Sequence, residues 1–72
     1  MKSTEIQLSI QIQLNKQVPD FKRLSDLYNQ LSTQIEMEAK QGHISYKSAT
    51  KILHYYQSRL EQKTLINSIN LN

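Results

Sequence analysis

Seventy-two residues carry a net charge of +3, with 38% hydrophobic residues, one glycine, one proline and no cysteine. A chain this short makes at most one domain, and so small a core needs a disulfide, a metal or a second copy to support it. The missing cysteine removes disulfides and cysteine-ligated zinc, and no apolar run approaches the ~18 residues of a membrane span, so oligomerisation is the support that remains.

The first element lies in residues 5–18. Ile6, Leu8, Ile10, Ile12 and Leu14 are apolar, and Gln7, Ser9, Gln11, Gln13 and Asn15 alternate with them. A period of two predicts a strand with one buried face. Polar residues interrupt this stretch at every second place, so it is not read as a signal peptide. A lone strand leaves backbone N–H and C=O groups unpaired, so it is expected to pair with another strand. Ile6, Leu8, Ile10, Ile12 and Leu14 would form the face that meets a dimer mate or a partner.

Pro19 ends the pairing and suits the first turn of a helix, with Asp20 complementing its positive end. Helix one is expected over 20–41. Its seam is Phe21, Leu24, Tyr28, Leu31 and Ile35, with the 3-4 spacing of a coiled coil. Glu38 occupies the next seam position. Thr33 and Glu36 have capping-box spacing, so a break near Ser32 is the alternative to one continuous helix. Gly42 is the expected C-cap. Ser45 is the N-cap of helix two, expected over 45–63, with Ala49, Ile52, Leu53, Tyr56 and Leu60 on its apolar face. The short connection makes the helices an antiparallel hairpin. Tyr28 and Tyr56 are expected in the seams, with their hydroxyls reaching solvent. In the tail, 64–72, Leu65, Ile66 and Ile69 point away from the helix-two seam, and Ile69 to Asn72 alternate as a short strand would. The expected fold is mainly α with an N-terminal β-strand: a strand, then a long antiparallel helical hairpin, with the strand pairing across a homodimer.

Catalytic and cofactor chemistry has little to stand on. One glycine makes no phosphate loop, and none of the eight serines lies in a Gly-x-Ser-x-Gly elbow. His43 and His54 are eleven apart and lack a partner at helical metal spacing. Glu36 and Glu38 diverge on a helix and make a poor acid–base pair. No catalytic, cofactor or metal residues are assigned. A non-enzymatic cytoplasmic protein is expected, without membrane attachment.

Two polar surfaces remain. Gln7, Ser9, Gln11, Gln13 and Asn15 would line one side of the strand, where amide side chains can pair with base edges. Residues 43–72 hold Lys47, Lys51, Arg59 and Lys63 against Glu61. Ser45, Lys47 and Lys51 are therefore candidate contacts for phosphate or an acidic partner, with Tyr55 alongside.

The order of strand, Val18-Pro19-Asp20, helix, glycine turn and Ser-capped helix resembles the ribbon-helix-helix family of DNA-binding repressors and antitoxins. The stretch Gly42-His43-Ile44-Ser45-Tyr46-Lys47-Ser48-Ala49 is similar to the turn before that family's second helix. The resemblance implies a dimer whose paired strands enter the DNA major groove. Gln11, Gln13 and Asn15 would read bases, and Ser45 with the following amides would hold a phosphate. Helix one is longer than the family's first helix, and the row from 7 to 15 lacks its usual basic residue. The Gly42-His43-Ile44-Ser45 turn is also similar to that of the small subunit of exonuclease VII, which would imply a helical accessory subunit.

The first expectation is a small protein-interaction module, an adaptor, inhibitor or regulatory subunit, acting as a homodimer and meeting a protein partner through its strand and hairpin. The alternative is a regulator of the ribbon-helix-helix kind bound to duplex DNA.

Overall fold

The computed structural model describes residues 2–70, which form three helices: α1 (Ser3–Leu14), α2 (Phe21–Lys40) and α3 (Tyr46–Asn70). There is no strand among the described residues. The N-terminal strand and its pairing across a homodimer are therefore replaced by a third helix.

The reason lies in the same residues that suggested a strand. Apolar residues at every second position contain two interleaved i, i+4 sets. On a helix, Ile6, Ile10 and Leu14 make one row, and Leu8 and Ile12 make another about 200° away. A helix closes its own backbone hydrogen bonds, whereas a lone strand cannot. Gln and Leu, frequent in this segment, also favour helix. α2 supplies a seam for the first row: Ile6, Ile10 and Leu14 are buried, while Leu8 and Ile12 are exposed. The five residues expected to share one strand face are thus split between opposite sides of α1.

α2 begins at Asp20, whose carboxylate accepts the Arg23 N–H at 3.1 Å. Pro19 is buried just before this cap, outside the first turn where it was expected. Leu24, Leu27, Leu31, Ile35 and Ala39 make the buried side of the helix, which runs through Ser32 and Thr33 unbroken. At its end the His43 N–H donates to the Glu38 carbonyl at 2.9 Å and the Gly42 N–H to Ala39 at 3.1 Å. This Schellman closure needs a left-handed residue, and Gly42 has φ +78°.

Ser45 caps α3, accepting the Ser48 N–H at 3.0 Å on its hydroxyl. α3 continues to Asn70, past the boundary expected at residue 63. The expected tail strand is helical at Ile69 and Asn70; Leu71 and Asn72 lie outside the described residues.

The helices run up, down and up. Ser3 meets Glu38 at one end of the α1–α2 pair, and Gln13 meets Asp20 at the other. The turn from Lys40 to Tyr46 is short and, far from it, the Tyr28 hydroxyl donates to the Leu53 carbonyl at 3.4 Å, so α2 and α3 run antiparallel. The core is Ile6, Ile10 and Leu14 over the α2 row, with Ala49 and Tyr56 from α3. Each large apolar side chain in it contributes roughly 1.5–3 kcal/mol by leaving water. Leu60 is the last apolar residue of α3 packed against the core, and the overhang of α3 begins after it. Leu65, Ile66 and Ile69 on this overhang are exposed.

Candidate interaction surface

The polar residues of α1 do not form a reading row. Gln7 and Gln11 turn towards α3, where Gln11 Nε2 donates to the Tyr56 hydroxyl at 2.7 Å and that hydroxyl donates to Gln7 Oε1 at 3.2 Å. Gln13 Oε1 accepts the Asp20 N–H at 3.3 Å. The Ser9 hydroxyl donates to the Glu5 carbonyl one turn earlier, and Asn15 is the C-cap of α1. A ribbon presenting Gln7, Ser9, Gln11, Gln13 and Asn15 to a DNA groove is not built, because helical geometry spreads them around the axis. The ribbon on which the repressor resemblance relied is missing with it.

Tyr56 is 3% exposed, and its hydroxyl is engaged by both glutamines, so it does not reach solvent. Tyr28 is half-buried, and its hydroxyl donates to the Leu53 carbonyl. Tyr55 packs edge-on against Tyr56 with ring centroids 5.0 Å apart. The Arg59 guanidinium lies 5.8 Å from the Tyr55 ring centre, and its Nη1 donates to the Tyr55 hydroxyl at 2.9 Å. This cation–aromatic pair was missed in the sequence, although Tyr55 and Arg59 have the i, i+4 spacing that announces it.

Glu38 explains its own place in the α2 seam. Its carboxylate accepts the Ser3 N–H at 3.0 Å and the Ser3 hydroxyl at 2.6 Å, and Gln34 Nε2 donates to it at 3.0 Å. Lys2, the N-cap position of α1, makes no side-chain cap bond. A carboxylate from the neighbouring helix thus caps α1 and meets its positive dipole end. The Ser3 hydroxyl and amide, with Gln34, hold the Glu38 carboxyl below its ordinary range against a smaller opposing effect of burial.

Ser45 is used as a cap, its hydroxyl also donating to Ser48 Oγ at 3.0 Å. Lys47 and Lys51 are exposed one turn apart on the outer side of α3, followed by His54. The same side of the overhang carries Leu65 and Ile69. No group of three potential metal ligands is present among the described residues. No helix there is long and apolar enough to cross a membrane.

The main apolar features left open are three. The outer row of α1 holds Leu8, 60% exposed, and Ile12, 63% exposed. The α3 overhang holds Leu65, Ile66 and Ile69. A shallow groove of about 260 Å³ between α2 and α3 is floored by Ile35, Ala39, Ala49 and Leu53, with Tyr46 among its lining residues. Comparison of the chain with protein-family models, with curated proteins and with solved structures finds no match in any of the three.

Proposed function

We propose that this chain is a small non-enzymatic interaction module that acts as a homodimer and, in that form, as an adaptor, inhibitor or regulatory subunit for a protein partner. One observation carries the reading: α1 has two apolar sides, and the bundle uses only one. Leu8 and Ile12 stand opposite the buried row and contribute nothing to the core. Exposed apolar side chains aligned on one helix face are what helix-to-helix docking uses. The most engaged polar groups hold helices together: Glu38 caps α1 and Tyr56 joins α1 to α3. The cytoplasm is the compartment this reading assumes, since a cysteine-free chain depends on no oxidising surroundings.

The test replaces the outer row alone. Leu8→Gln with Ile12→Gln should leave helicity and Tm within a few degrees of the parent, because both side chains already face water. Sedimentation equilibrium should find the parent associating with rising concentration and the variant monomeric. A variant that associates like its parent, or a parent that never associates, would remove the reading.

A further inference from the structure

The outer row of α1 is framed by charge. Glu5 lies in the first turn and Lys16 just past the last; both are exposed. The turn carries on to Lys16, whose N–H donates to the Gln13 carbonyl at 3.1 Å. The ion pair found among the described residues is Lys40–Glu36, so neither Glu5 nor Lys16 has a charged partner there.

Lys16 lies in the bend after α1, but Asn15 keeps helical backbone angles and the Lys16 N–H bonds back to Gln13, which carries the turn far enough to put the two charges on one flank of the row. Residues eleven apart return to within about 20° on an α-helix. Glu5 and Lys16 are eleven apart, and so are Thr4 and Asn15 on the opposite, uncharged flank. The midpoint of Leu8 and Ile12 is residue 10, with Glu5 five residues before it and Lys16 six after. Lys2, three residues before Glu5, lies about 60° further round the axis, off the row. Glu5 at one end, Leu8 and Ile12 in the middle and Lys16 at the other make a strip that complements itself when turned end for end. Laid parallel on itself, it sets like charges together at both ends.

We propose that a second copy of this chain docks antiparallel on this face, with Leu8 of one protomer against the partner's Ile12 and Glu5 against the partner's Lys16 at both ends. The inference rests on the homodimer reading above and adds its polarity and register. The contact is isologous, so each pairing occurs twice. Two twelve-residue helices make a short contact, below the ~1,200 Å² of standard interfaces, so the dimer is weak and its population follows concentration.

Charge reversal tests the register. Sedimentation equilibrium at low salt, from roughly 10 µM to 1 mM to bracket a weak interface, compares the parent with Glu5→Lys, Lys16→Glu and the double reversal. Each single reversal turns two attractions into repulsions and should weaken association about tenfold. The double reversal should return it to within about threefold. Harm to the helix dipole would add in the double variant, so rescue identifies the pair between protomers. Because the chain has no cysteine, Leu8→Cys and Ile12→Cys proteins report pairing directly, and their mixture should give mainly the mixed disulfide. Association that ignores the reversals, is not rescued by the double, or links Leu8→Cys mainly to itself overturns this register and leaves the docking reading standing. A parent that stays monomeric throughout overturns both.

Discussion

Glu38 stands where the apolar spacing of α2 calls for a hydrophobic residue, and its carboxylate closes the start of α1 instead. Its carboxyl titrates below its ordinary value of 4.5 because Ser3 and Gln34 bond the charged form. A depressed folded value means that the carboxylate stabilises the fold fully above the unfolded value and ceases to do so as pH falls through the folded one. Glu38→Gln should therefore lower Tm at pH 7 and flatten its decline below about pH 4.5. The loss expected for a cap is about 1 kcal/mol, or about 4–8 °C in a domain of this size. Thermal melts from pH 7 down to about 3 check it, and an unchanged acid limb would show that the carboxylate does not cap α1. Tyr56 is a second residue-scale joint. Tyr56→Phe keeps the ring in the core and removes the hydroxyl shared by Gln7 and Gln11. The cost should be about 1 kcal/mol in urea unfolding. No measurable cost would mean that both glutamines are equally content in water.

The elements differ in how much of each the core needs. α3 continues past Leu60 to Asn70, and the apolar residues Leu65, Ile66 and Ile69 there are exposed. A chain stopped after Lys63 should therefore keep its urea stability to within about 1 kcal/mol; a loss of several times that would mean that Leu65, Ile66 and Ile69 belong to the core. The same element shows where the sequence was readable. Leu24, Leu27, Leu31 and Ile35 repeat at spacings of three or four, which only a helix satisfies, and they are buried together. Gly42 and Ser45 carry local capping chemistry that does not depend on the rest of the molecule. Residues 6–14 were not readable in that way. A period of two over nine residues fits a strand and also two opposite rows of a helix, and tertiary packing on α2 decides between them. The boundary at residue 63 failed for a related reason: Leu65, Ile66 and Ile69 fall off the buried face of α3, so the seam stops while the helix continues. Of the candidate site residues, Lys47 and Lys51 remain exposed on one face, Ser45 is a cap, and the α1 polar row is dispersed by helical geometry.

At the scale of the whole molecule, α1 serves both as the lid of the core and as an outward apolar face. That dual role lets the described residues close a core within one chain and still leave Leu8 and Ile12 in water. Ile10 and Ile12 expose the difference, because a strand buried on one face would treat them alike. On α1, Ile10 is fully buried and Ile12 is 63% exposed. The most direct measurement is equilibrium urea unfolding of Ile10→Ala and Ile12→Ala at a concentration where the parent is monomeric. The account predicts a loss of about 2–4 kcal/mol for Ile10→Ala and less than about 0.5 kcal/mol for Ile12→Ala. Comparable losses from the two substitutions would contradict it.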